Sequence, residues 1–125
     1  MPKKFAKGKI FYIVITILIA LEIFLFSSIS SPIGEKTGFN LATFYHFGIF
    51  FIFTFFLSLS LKKGKINNKT ILIILLISLI YAISDEFHQL FVPGRFCSIK
   101  DILIDFAGSL FSVLSIKSFK RFNKL

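Results

Sequence analysis

The chain has 125 residues, 55% of them hydrophobic, with 19 phenylalanines and no tryptophan; 15 lysines and arginines against 6 acids give a formal charge of +9. A water-soluble domain of this size has too little interior to hide so much apolar surface, and a disordered chain would not carry it. The basic excess would point to nucleic acid in a soluble protein; here it fits the lysine and arginine enrichment of cytoplasmic segments in membrane proteins, so no nucleic-acid partner is expected.

Four apolar runs follow in chain order. The first covers residues 10–29 and is broken only by Glu22; the second covers 41–61. The third starts at residue 70 and passes through Asp85, Glu86, His88 and Gln89 to Phe91, where Pro93 disfavours helix for Val92 and Gly94 completes the break. The fourth and shortest covers 99–116. About 20 apolar residues span the hydrocarbon core, and helices are the open-chain structure that satisfies its own backbone there. The reading is an all-α membrane protein: a four-transmembrane-helix bundle, one domain over residues 1–125, multi-pass in the cell membrane, with the bilayer as first partner. A cleaved signal peptide is the competing reading of the first run. Its apolar core exceeds the usual length and no A-x-A site follows, so it is expected to stay. The single cysteine, Cys97, permits no internal disulfide and no cysteine-based metal site.

The charges orient this bundle. Lys3, Lys4, Lys7 and Lys9 precede helix one, Lys62, Lys63, Lys65 and Lys69 separate helices two and three, and Lys117, Lys120, Arg121 and Lys124 follow helix four. The other side holds Lys36, Arg95 and Lys100. A split of 12 against 3 places both termini in the cytoplasm. All six acids then fall on or near the outer side, and the inner helix halves hold no ionisable residue.

Ionisable residues inside membrane helices are costly, face the bundle interior and mark function. Tyr81, Asp85, His88 and Gln89 share one face of helix three, while Asp101, Asp105, Gly108, Ser109, Ser112 and Ser115 form a polar, small-residue stripe on helix four. With His46 on helix two, these predict an acid-rich pocket in the outer half, lidded by the loop 92–98. Its candidate binding residues are His46, Asp85, Glu86, Gln89, Arg95, Asp101 and Asp105, with Glu22, Tyr81 and His88 secondary. Arg95 is expected within salt-bridge reach of Asp85, Glu86 or Asp101, because an unpaired arginine at this depth is costly. Taken singly, each residue has a plainer use: the glycine and serines pack helices, Glu22 is a protonated carboxyl, His46 an interior histidine, and Arg95 sits among headgroups.

Residues 81–110 resemble the VanZ-like family, whose pattern is a helix ending in Asp-Glu-x-x-Gln, then Pro-x-Arg, then an Asp opening the next helix. Asp85, Glu86, Gln89, Pro93, Arg95 and Asp101 match in order and spacing. FSSISSP at 26–32 is similar to the family's Phe-Ser-Ser segment, and His46-Phe47 to its His-Phe pair. Two positions depart from the pattern: Thr43 stands where a lysine is common, and Asp105 where an asparagine is common. Both make the pocket more anionic. The resemblance implies an accessory membrane protein of the type found in glycopeptide-resistance clusters, associated with raised teicoplanin tolerance.

Three mechanisms fit, and whether the chain is an enzyme stays open. The first is a non-enzymatic protein whose outer pocket binds an envelope lipid headgroup or cell-wall-related ligand. Arg95 would grip a phosphate or carboxylate, and Asp85, Glu86 and Asp101 an amine or cation. The alternative is a membrane-embedded enzyme acting on a lipid-linked substrate. There His46 and a carboxylate supply acid–base chemistry around a hard divalent cation held by Asp85, Glu86, Asp101 and Asp105. No nucleophile motif, glycine-rich phosphate loop or H-E-x-x-H supports it, and no cofactor is expected under the first reading. A pore ranks last, because the polar path stops halfway.

Overall fold

Four helices follow one another: α1 Pro2–Ser27, α2 Leu41–Leu61, α3 Asn68–Gln89 and α4 Ile99–Phe122. The structure, a computed structural model, describes residues 2–30, 41–61 and 66–122, with side chains from 7 to 119. Glu35, Lys36, Lys62, Lys63 and Lys65 of the expected loops lie outside the described residues. Within the helices, Lys7–Ser27, Leu41–Leu61, Asn68–Gln89 and Ile99–Phe119 are each long and apolar enough to cross a bilayer.

The helix ends differ from the apolar runs for physical reasons. Both α1 and α4 continue into their basic flanks, because lysine is a good helix former and backbone bonding does not stop where the apolar run does. At α3, Asn67 caps the start by accepting from the Thr70 N–H at 2.8 Å. Its far end stops at Gln89 rather than Phe91. There the chain tightens, with Leu90, Phe91 and Val92 N–H groups bonding the carbonyls of Phe87, His88 and Gln89 at 3.3, 3.0 and 3.1 Å. A turn follows, closed by Arg95 N–H on the Val92 carbonyl at 3.1 Å. Pro93 presets its second position, and Gly94, at φ 76°, supplies the positive φ that the third position of a type II turn requires.

α2 packs against each of the other three helices, whereas α1 and α4 do not meet among the described residues, so the order around the bundle is α1, α2, α4, α3. The closest approach is between α2 and α4. A Cβ on Gly108 would stand 2.3 Å from the Phe47 carbonyl oxygen, so only glycine admits that backbone.

The bundle is turned inside out relative to a soluble protein. Ile17, Leu18, Leu25, Leu72, Ile80 and Phe87 face outward, as lipid-covered helices require. The interior combines an apolar centre of Ile23, Phe50, Phe53, Ile74 and Ala82 with buried Thr54, Ser58, Ser78, Ser109 and Ser112. Tyr81 lies over the centre with its ring stacked on Phe53, centroids 5.2 Å apart. Thr54 donates to Ser109 at 2.8 Å, so its remaining contact, 3.0 Å from Ser78, requires Ser78 to donate; Ser109 in turn donates to the Asp105 carbonyl at 3.1 Å. This chain of hydroxyls ties α2, α3 and α4 together without leaving a donor unmatched.

Candidate functional site

The ends of α1 and α3 and the beginnings of α2 and α4 lie together, and most of the acids and both histidines of the bundle gather there in two groups. In the first, the end of α1 is stapled to the end of α3. Ser27 donates to Asp85 Oδ1, Ser28 Oγ lies 2.9 Å from His88 Nε2, and the His88 ring stacks on Phe24 with centroids 4.5 Å apart. Arg95 completes the staple. Its Nε donates to the Ile29 carbonyl and its Nη2 to the Phe26 carbonyl, both at 3.0 Å. The Phe26 carbonyl, which also accepts the Ile29 N–H at 3.2 Å, and the Ile29 carbonyl just past the helix lie at the negative end of the α1 dipole, where a guanidinium is favourable. The ion pair expected between Arg95 and Asp85, Glu86 or Asp101 is therefore replaced. Among the described residues Arg95 bonds carbonyls of the α1 terminus instead, because the Pro93–Gly94 turn directs it across to α1.

The second group joins α2, α3 and α4. His46 Nδ1 and Asp105 Oδ1 are 2.9 Å apart, with Asp105 wholly buried. Asp105 Oδ2 has no hydrogen-bond partner among the described residues. Glu86 is also 0% exposed, and its Oε2 accepts the Ser98 N–H at 2.9 Å. Asp101, in the first turn of α4, is half-buried, and its carboxylate accepts no hydrogen bond from the described residues. A ring nitrogen of His46 and one carboxylate oxygen each from Glu86 and Asp101 lie within 4.8 Å of one another, a set able to hold a metal ion. Gln89 links the two groups, its amide donating to Asp85 Oδ2 at 3.2 Å and Glu86 Oε1 at 3.4 Å.

Of the residues singled out from sequence, His46, Glu86, Asp101 and Asp105 thus stand together, with Gln89 and Asp85 beside them. The three secondary residues stand apart from this set. Tyr81 donates its hydroxyl to the Ala20 carbonyl of α1, His88 belongs to the α1 staple, and Glu22 is exposed without a hydrogen bond to the described residues. Of the two departures from the family pattern, Thr43 is buried on α2 one turn before His46, and Asp105 is the residue that engages His46. Sequence reasoning overlooked Ser27 and Ser28 as partners of the motif, although both lie in the Phe-Ser-Ser segment. It also overlooked Thr54 and Ser78, whose signal is a hydroxyl at mid-helix in an otherwise apolar run, and the Ser98 N–H, which has no side-chain signature.

No curated protein and no solved structure matches the chain. A family model described as VanZ/LLP1 matches residues 4–120, nearly the whole length. The Asp-Glu-x-x-Gln, Pro-x-Arg and Asp positions that carry the resemblance are the residues that join the helix ends, and the chain belongs to the VanZ/LLP1 family.

Proposed function

We propose that this chain is a non-enzymatic protein of the cell membrane whose polar end faces outward and binds a cell-envelope component, altering how glycopeptides of the teicoplanin type reach their target. One observation carries the reading: His46, Glu86, Asp101 and Asp105 converge from three helices, with Glu86 and Asp105 at 0% exposure. Burying so much charge at one depth is costly, and a ligand of opposite charge offsets that cost. The basic split of 12 to 3 supports the outward orientation. The acid excess favours an amine-bearing or cation-bridged headgroup over a bare phosphate. Asp85, Gln89 and Arg95 complete the site by holding the end of α1 against it.

A second reading rests on the His46–Asp105 pair at 2.9 Å, which is the arrangement of a general base and its orienting carboxylate. It makes the chain an enzyme acting on a lipid-linked substrate.

The test is complementation of a strain lacking the gene, scored as teicoplanin susceptibility beside quantitative blotting of the membrane. Asp101→Asn is expected to reach normal abundance and to lose function. Function that persists in Asp101→Asn refutes the binding reading. Turnover of a lipid-linked substrate by the purified wild-type protein, abolished in Asp105→Asn, would replace it with the enzymatic one.

A further inference from the structure

We infer that His46, Glu86 and Asp101 hold a divalent first-row transition cation, with Asp105 as the carboxylate that orients His46. This deepens the binding reading and rests on it for locating the ligand at this end of the bundle. Two independent observations point to the ion. The first is convergence: a His46 nitrogen and two carboxylate oxygens, supplied by α2, α3 and α4, already lie within 4.8 Å of one another. Ligand atoms about 2.1 Å from a shared zinc ion stand roughly 3–4 Å apart, so binding asks for a contraction of about 1 Å. The second is Asp105, wholly buried, which sets Oδ1 on His46 Nδ1 and leaves Oδ2 with no hydrogen-bond partner among the described residues. An unpaired carboxylate oxygen in that position is costly, and a positive ion on the far side of the imidazole offsets it.

The remaining contacts have the form of a supporting shell. With Nδ1 held by Asp105 at 2.9 Å, Nε2 is the nitrogen left to ligate, in the carboxylate–histidine–metal order. Glu86 is held by the Ser98 N–H on Oε2 at 2.9 Å and the Gln89 amide on Oε1 at 3.4 Å, and each oxygen keeps a second lone pair for an ion. Asp101 contributes a carboxylate that the described residues leave without a hydrogen bond. The sequence-based ligand set changes accordingly. Asp85 bonds Ser27 and Gln89 and stands outside it, Asp105 moves behind the histidine, and His46 enters. The imidazole changes the metal as well. Magnesium and calcium favour all-oxygen sets, whereas one nitrogen with two carboxylates suits Zn²⁺ or Mn²⁺.

The full chain, reconstituted in lipid nanodiscs and stripped with chelator, would be titrated with Zn²⁺ alone and with Mn²⁺ alone. Bound metal is measured by equilibrium dialysis. Wild type is expected to bind one ion per chain, unmoved by an equal concentration of Mg²⁺. Bound Mn²⁺ should show electron spin-echo modulation from imidazole nitrogen. Asp105→Asn should weaken binding about 10–100-fold and Asp101→Asn by at least about 100-fold, with Glu22→Gln unchanged. Because the Asp101 carboxylate accepts no hydrogen bond from the described residues, the metal-free Asp101→Asn protein should unfold at the wild-type temperature, which keeps the test independent of misfolding. Absence of saturable binding in wild type, or wild-type affinity in Asp101→Asn, overturns the site. If no ion binds while Asp101→Asn still loses function at full abundance, the cation is overturned and the envelope ligand stands. A bound ion with Asp101→Asn fully functional supports the site and refutes the envelope reading.

Discussion

Replacing Gly108 by alanine places a methyl group 2.3 Å from the Phe47 carbonyl oxygen, 3.1 Å from its carbon and 3.3 Å from the Phe47 Cα. Close carbon-to-oxygen contacts between helices settle at about 3.3–3.6 Å, so α2 and α4 must part by about 1 Å at this level. The obstacle is backbone on both sides, and no side chain can swing away to relieve it. His46 is the neighbour of Phe47, and Asp105 lies one turn before Gly108, so the same displacement acts on a hydrogen bond now 2.9 Å long. Lengthened to about 3.9 Å, it is no longer a hydrogen bond. Overpacking costs about 1–3 kcal/mol, and losing a buried bond to a charged group roughly 1.5–3 kcal/mol more. Gly108→Ala should therefore lower stability by several kcal/mol, measured by unfolding in mixed micelles, and should shift the His46 ring signals in a nitrogen NMR spectrum. Gly48→Ala is the matched control, because a Cβ there meets nothing within 4 Å. It should be neutral or stabilising by up to about 1 kcal/mol. A Gly108→Ala protein as stable as Gly48→Ala, with unaltered His46 signals, refutes the close α2–α4 approach as the support of the site.

Arg95→Lys keeps the charge but cannot reach the Phe26 and Ile29 carbonyls together, so about 1–2 kcal/mol is lost. Abundance and function should then fall in proportion, in contrast to Asp101→Asn, as quantitative blotting beside complementation will show. Thr54→Val keeps the shape and removes the middle link between Ser78 and Ser109, leaving Ser78 without its acceptor at an expected cost of about 1–3 kcal/mol in the same unfolding assay.

How much of this was legible in sequence differs by level. The four helices were, because twenty apolar residues in lipid admit little but a helix, and α2 occupies the same 41–61 as its apolar run. The ends of α1 and α4 were not, since hydropathy marks where lipid starts and not where backbone bonding stops. The polar residues of α3 and α4 were legible as inward-facing from their spacing. Glu86 lay outside the face first drawn through Tyr81, Asp85, His88 and Gln89, yet it is fully buried. Helical spacing locates a face to within about one residue, and here the burial centre falls between Asp85 and Glu86. The partner of Arg95 was not legible. Charge pairing suggests a carboxylate, but backbone carbonyls at a helix end have no side-chain signature and compete equally well for a guanidinium. Ser27 and Ser28 were hidden for a related reason, because serine at a helix end reads as a boundary signal before it reads as a ligand.

The account depends most on which side of the membrane the polar end faces, and Cys97 reports that directly. It is an exposed free thiol in the turn between α3 and α4, beside Arg95 and Ser98. Treating intact cells with a membrane-impermeant maleimide and measuring the modified fraction by mass shift tests the orientation. The account predicts full modification without permeabilisation and none in a Cys97→Ser control. Modification only after the membrane is opened would put His46, Glu86, Asp101 and Asp105 on the cytoplasmic side and contradict an envelope ligand outright.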